Sequence, residues 1–339
     1  MNSQDQLLNT YDNGLVATEL ALLNRYGERY STYRENYKLA GEFKFEPDFP
    51  LYLMLEQSYS CNLKCPSCIH GFPEEKKKFD PDVNIMPRSL FDKIIEEGEK
   101  NNCPSISFCV NDEPLIVPDL PERIAYAKEH QFMDLFITTN GTFLTLDLAK
   151  ELISAGLTRI LFSIDAATSE TYNMVRPGGD FDRVVKNLEA LVEYKNSKGL
   201  ILPAIRASFV YSQLNAHERD MFMEKFSPLV DYIEIQGFSV YNDFNTDLIP
   251  EKSVQVTDFA CNEPWRKLII RANGEVLPCC SFYGYGVVVG DINQMSLKEI
   301  FNGKQLRKLR QEFKEGIYSL SPCNACSKSF YVTPQENSF

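Results

Sequence analysis

The chain has 339 residues, 44% of them hydrophobic, and a formal net charge of −12. That size fits one large domain or a large one with a small companion. The acidic balance, with no Lys/Arg patch interleaved with aromatics, excludes a nucleic-acid partner, and no apolar run reaches the length needed to span a bilayer.

Residues 1–9 are polar and carry no signal-peptide apolar core, so the expected location is cytoplasmic. Ten cysteines in a cytosolic chain point to metal rather than to disulfides. Residues 1–48 read as an N-terminal helical extension rich in Tyr and Arg. From Pro50 onward, apolar β-rich runs alternate with amphipathic ones. The predicted strands are 52–56, 105–109, 133–138, 159–163, 204–210 and 232–236. Thr145 is placed to cap a helix that stops at Gly156, and Asp180 to cap one ending near Gly199. Pro121 suits the first turn of another.

Strand–helix alternation of this kind implies a parallel sheet with helices outside. Six units are too few for an eight-fold barrel, so the predicted fold is α/β, a partial (β/α)6 barrel over residues 49–245. In parallel α/β folds the site lies at the C-terminal ends of the strands. The alternation ends near residue 245. Residues 265–271, Asn273-Gly274 and 275–277 then read as a β-hairpin with a type I′ turn. A helix follows, carrying Leu297, Ile300, Phe301, Leu306, Leu309 and Phe313. Residues 246–339 are therefore assigned to a small C-terminal β-hairpin/helix cluster domain.

Two cysteine sets stand out. Cys61, Cys65 and Cys68 form C-x3-C-x2-C just after the first strand, with no fourth cysteine nearby. A cubane [4Fe–4S] cluster normally takes four thiolates, so three leave one iron open to bind a small molecule. A zinc site of the three thiolates with His70, or unliganded thiols, are the alternatives. In the second set, Cys261 and Cys279 are separated by seventeen residues that contain the hairpin, and Cys323 and Cys326 follow as C-x2-C. Together they offer four thiolates, enough for a second cubane or for a structural zinc. Cys280 is an alternative to Cys279 as ligand.

The first motif resembles the cluster loop of the radical S-adenosylmethionine (SAM) enzymes, and the resemblance covers roughly residues 50–330. It implies a partial barrel, and an open iron holding the amino and carboxylate groups of SAM. Reductive cleavage of SAM would then give a 5′-deoxyadenosyl radical that takes hydrogen from substrate. Phe108-Cys109-Val110-Asn111-Asp112-Glu113-Pro114-Leu115 is similar to the family's Gly-Gly-Glu-Pro run, with Asp112 where glycine is usual. It implies that Glu113 accepts from the SAM ammonium. Thr138-Thr139-Asn140-Gly141-Thr142 resembles the T-N-G-T turn and implies a binding role for Asn140. Ser163-Ile164-Asp165 resembles the S-x-D run, and Arg176 lies thirteen residues after Ser163. In the family, a serine and an arginine at this spacing bind the SAM ribose and carboxylate, and a guanidinium suits a carboxylate through two parallel hydrogen bonds. Asp165 is included in the cofactor-binding set.

The second set resembles the twitch domain, a shortened SPASM domain, with a layout similar to that of 2-deoxy-scyllo-inosamine dehydrogenase. It implies one auxiliary [4Fe–4S] cluster. The expected reaction is dehydrogenation or epimerisation of a small polar substrate, a sugar or aminocyclitol. For epimerisation a thiol must return hydrogen, and Cys109 and Cys280 are the candidates. The runner-up is a peptide-modifying enzyme, against which the short 1–48 extension weighs. A non-catalytic zinc or iron–sulfur protein is the remaining class. The chemistry implies a flavodoxin- or ferredoxin-type electron donor.

Overall fold

A computed structural model describes residues 8–12, 14–241 and 244–332; most of the polar 1–9 stretch lies outside them. Six parallel strands form the core: β2 (Tyr52–Leu55), β3 (Ser105–Ser107), β4 (Asp134–Thr139), β5 (Arg159–Ser163), β6 (Ala204–Val210) and β7 (Tyr232–Gln236). Each pairs in parallel with the next, and a helix crosses back between each pair: α3 (Arg88–Lys100), α4 (Leu120–Glu129), α5 (Leu146–Ala155), α6 (Phe181–Ser197) and α7 (Arg219–Phe226). The predicted (β/α)6 core is thus present. Thr145 Oγ1 accepts from Leu148 N at 3.2 Å and Gly156 closes α5 in the left-handed region, φ 106°. Asp180 caps α6 by accepting from Arg183 N at 3.0 Å.

Both edges of this sheet are extended. The helical extension also contains a strand, β1 (Leu8–Asp12), antiparallel to β7. It leads into α1 (Leu15–Tyr26) and α2 (Glu28–Gly41). These helices pack at the N-terminal ends of the strands, where Arg159 Nη2 donates to Glu19 Oε1 at 2.8 Å and to the Tyr30 hydroxyl at 3.1 Å. On the other edge, β10 (Lys267–Ile270) lies parallel to β2, with Lys267 opposite Tyr52. The order is β1-β7-β6-β5-β4-β3-β2-β10-β11-β12, with β11 at Glu275–Leu277 and β12 at Gly290–Asp291. One sheet therefore crosses the 245/246 boundary. A second sheet, β8 (Phe238–Ser239), β13 (Phe330–Val332) and β9 (Val254–Gln255), ties the end of the chain back to the core.

The hairpin differs from expectation in two ways. Pro264, Trp265 and Arg266 belong to a helical turn, Glu263–Arg266, so the strand starts at Lys267. The turn is not type I′, because only Gly274 (φ 96°) has a positive φ. Gly274 N donates to Arg271 O at 2.9 Å and Arg271 N to Glu275 O at 2.9 Å. That is a tight turn followed by a left-handed glycine, the three-residue alternative to I′.

Candidate active site

Beyond β2 the chain enters the first cysteine loop. Leu63 N donates to Cys61 Sγ at 3.4 Å, and Cys68 N to Cys65 O at 3.0 Å. Gly71 rests on this turn: a Cβ there would lie 2.3 Å from the Cys65 carbonyl oxygen. Burial pushes the Cys61 thiol up to about 12 and Cys68 up to about 11. Burial also raises Cys65, opposed by the Arg176 guanidinium. His70 is buried. Its Nε2 lies 2.8 Å from the Asn111 carbonyl, to which it can only donate, and burial pulls its pKa down to about 4. Its ring thus holds the neighbouring loop.

The other residues that the resemblance assigns to SAM meet this loop. Glu113 is buried at the end of β3. Its Oε1 accepts from Thr139 Oγ1 at 2.6 Å and its Oε2 from Asn140 N at 2.8 Å, while Glu113 N donates to Ser60 O at 3.0 Å. Asn140 Nδ2 donates to Asn62 Oδ1 at 2.8 Å and reaches Cys61 Sγ at 3.9 Å. Arg176 pairs with the Asp165 carboxylate, donates to Ile164 O at 3.3 Å and reaches Cys65 Sγ at 3.8 Å. Asp165 adopts the left-handed conformation, φ 62°, which Asp tolerates better than most residues. Its Oδ1 accepts from Val210 N at 2.8 Å. Asp112, standing where the resemblance expects glycine, is also tied to backbone: it accepts from Val110 N at 2.8 Å and Ser58 N at 3.2 Å.

All of these line one cavity of about 980 Å³ inside the barrel: Cys61, Cys65, Cys68, Glu113, Asn140, Ser163, Asp165 and Arg176 at the C-terminal strand ends, and Tyr52, Asp134, Arg159 and Tyr232 at the opposite ends. The C-terminal domain contributes Glu263, Lys267 and Cys280. Cys261, Cys279 and Cys326 line this cavity as well, and the adjacent Cys279 and Cys280 differ in a second, smaller one. Cys279 lines a small cavity of about 30 Å³ together with Cys261, Cys323 and Cys326, under Tyr283, Phe313 and Tyr318. Cys280 Sγ is not part of it; it receives a hydrogen bond from Lys267 Nζ at 3.3 Å. Gly284 seats Cys279, since a Cβ there would fall 2.6 Å from the Cys279 carbonyl oxygen and 2.8 Å from its Sγ. Tyr318 accepts from Cys261 N at 3.2 Å. Burial pushes Cys326 up to about 12 and Cys323 up to about 11.

Cys109 lines the large cavity but is tied down: it is buried at the end of β3, and its Sγ accepts from Thr138 N at 3.2 Å. Sequence reasoning missed Lys267 and Glu263, an ion pair beside Cys280. A lysine opening the apolar run Lys267-Leu268-Ile269-Ile270 was the available signal. It also missed Asn111, whose Nδ2 reaches Cys280 O at 3.4 Å and the Tyr285 hydroxyl at 3.3 Å and so links the β3 loop to the C-terminal domain.

The donor sets are all thiolates, three in the first loop and four in the second set, the ligand type of iron–sulfur cubanes. Among the described residues, no three His, Cys, Asp or Glu side chains converge on one point as a mononuclear zinc requires. Thiolates around a cubane each hold a different iron and stand further apart.

The radical SAM superfamily profile matches residues 55–205, and that of an iron–sulfur cluster-binding domain, SPASM, matches residues 261–327. The chain is 26% identical over 325 residues to the tungsten-containing aldehyde ferredoxin oxidoreductase cofactor-modifying protein of Pyrococcus furiosus, covering 81% of this chain and 87% of that one. Among solved structures, BtrN in complex with AdoMet and 2-DOIA aligns with a TM-score of 0.56 at 17% identity, over 83% of this chain and 93% of that one. Streptococcus suis SuiB bound to its precursor peptide SuiA aligns with a TM-score of 0.56 at 18% identity, over 88% and 74%. At these identities the two structures speak for the fold, a partial barrel, alone.

Proposed function

Since the chain is a radical SAM protein with a C-terminal SPASM-type iron–sulfur domain, we propose that it abstracts hydrogen from a small polar substrate, a sugar or aminocyclitol, for dehydrogenation or epimerisation. When bound, a [4Fe–4S] cluster with SAM supplies a 5′-deoxyadenosyl radical, and an auxiliary cluster supplies an electron acceptor. Cys61, Cys65 and Cys68 would hold the first, and Cys261, Cys279, Cys323 and Cys326 the second. Asn140, Ser163 and Arg176 are the residues to orient SAM. Glu113, bonded to Thr139 and Asn140, acts chiefly by positioning that turn. Cys280, rather than the tied Cys109, is the thiol set to return a hydrogen atom in an epimerisation.

The observation that carries this reading is the cavity of about 980 Å³ inside the barrel. It joins the first cysteine loop to Cys280 and is lined inside the barrel by charged and polar side chains. The packing of α1 and α2 against the barrel, through the Arg159–Glu19 pair, also supports a compact substrate. These residues buttress the core rather than form a separate peptide-recognition module. An electron donor of flavodoxin or ferredoxin type is part of the proposal, as is a cytoplasmic location; among the described residues no helix is long and apolar enough to cross a membrane.

Peptide modification, the runner-up on the sequence, is the second reading. The test is to give anaerobically reconstituted, reduced enzyme and SAM either the low-molecular-mass or the peptide fraction of a cell extract grown in deuterated medium. Deuterium entering 5′-deoxyadenosine from the small-molecule fraction supports the proposal. Label arriving only from the peptide fraction overturns it.

A further inference from the structure

The cavity wall opposite the C-terminal domain contains polar groups that neither cysteine set uses. On β6, Arg206, Ser208 and Val210 share one face, because strand side chains alternate. Arg206 and Val210 line the cavity; Ser208, between them on the same face, is buried and is not itself part of the lining. In register, Ser208 sits between Ser163 of β5 and Glu234 of β7. Arg206 Nη1 pairs with the Glu234 carboxylate, which also accepts from Gln236 Nε2 at 2.9 Å. Two donors remain over: Arg206 Nε and Ser208 Oγ are both buried without a hydrogen-bond partner. Leaving a buried polar group unpaired is costly, so these two atoms mark a wall suited to a polar partner.

Resting on the function proposed above, we propose that Arg206, Ser208 and Glu234 are the substrate subsite, and that it takes a neutral group offering an acceptor next to a donor: a hydroxyl beside another hydroxyl or beside an amine. Arg206 Nε–H donates to one substrate oxygen. Ser208 donates to or accepts from the neighbour, and Glu234 accepts a substrate O–H or N–H. The charges of the wall select among alternatives. Arg206 is already neutralised by Glu234, so a carboxylate or phosphate would be buried against Glu234 with no unpaired cation to receive it. An apolar group would leave both orphan donors unpaired. Ser163 adjoins the subsite in register and belongs to the SAM side, so a group held here lies next to the bound cofactor.

The experiment is titration of SAM-loaded, reconstituted enzyme with four probes, followed by saturation-transfer NMR: myo-inositol, D-glucosamine, succinate and glycylglycine. Wild type is compared with Ser208→Ala and with the double variant Arg206→Met/Glu234→Met, which removes both charges together and keeps the volume. Iron content and melting temperature report whether each variant has folded. The expected result is binding of the two hydroxylated probes, weakened about tenfold in each folded variant. The assignment is overturned if neither hydroxylated probe binds, if succinate or glycylglycine binds instead, or if folded variants bind as wild type does. Wild type that binds the hydroxylated probes but releases no 5′-deoxyadenosine with dithionite would leave the subsite standing and remove the radical function.

Discussion

Cys61, Cys65 and Cys68 come from eight consecutive residues, whereas Cys261, Cys279, Cys323 and Cys326 come from three segments spread over sixty-six. The first set is placed by its own loop: a turn from Cys65 to Cys68, the bare surface of Gly71 and polar contacts from Asn140 and Arg176. It faces the large cavity. The second set is placed only once β10, β11 and the helix Ser321–Cys326 have packed around it; Cys261, Cys279 and Cys326 also reach the large cavity, while all four of its cysteines meet at a small cavity lined by Tyr283, Phe313 and Tyr318. A site of the first kind leaves one side free for a ligand. In a site of the second kind, metal binding and folding of the surrounding domain are one event, because the ligands are not gathered in the unfolded chain.

The contrast is broken most severely by replacing Cys61, Cys65 and Cys68 together with alanine. SAM cleavage should vanish, measured as 5′-deoxyadenosine by chromatography, while the auxiliary cluster stays. Next comes the distinction within Cys279-Cys280. Cys279→Ala should cost about four iron per chain and lower the melting temperature. Cys280→Ala should keep all of its iron and, in an epimerisation, lose only formation of the epimer; equal iron loss in both variants would reject the assignment.

A third change attacks the tie between the two regions. Glu56 is fully buried at the end of β2. It pairs with Arg271 Nε at 3.3 Å and accepts from the Tyr285 hydroxyl at 2.6 Å. Glu56→Ala removes one partner of a buried pair, which costs about 3–5 kcal/mol, and should show as a large drop in thermal stability. Two glycines sharpen the comparison further. Gly71→Ala should impair loading of the SAM-side cluster and Gly284→Ala that of the auxiliary one, each followed by iron content after reconstitution. The smallest expected effect is Thr145→Ala, which deletes a helix cap worth about 1 kcal/mol and leaves both clusters intact.

The same contrast explains what the sequence alone revealed. Three core strands, Arg159–Ser163, Ala204–Val210 and Tyr232–Gln236, fall where apolar periodicity places them, and the rest of the six lie within a residue or two of it. Their helices carry ordinary caps. The compact cysteine loop is legible because its ligands are neighbours in sequence. By contrast, β8, β9 and β12 have two residues each, too few to show a period. Nothing local tells that β10 docks beside β2. The choice between Cys279 and Cys280 depends on which way each side chain turns from one backbone, a tertiary matter. Arg206, Ser208 and Glu234 were hidden for another reason. Alternating polar residues on a strand read as a solvated face, and only closure of the barrel turns that face inward.

The most direct test of the two-site account is iron and acid-labile sulfide content, with EPR, on protein purified without oxygen. Wild type is compared with the Cys61/Cys65/Cys68→Ala variant. The account predicts about eight iron per chain in wild type and about four in the variant, with a cubane signal persisting in both. Stoichiometric zinc without iron, or a variant that keeps all eight iron, would contradict it.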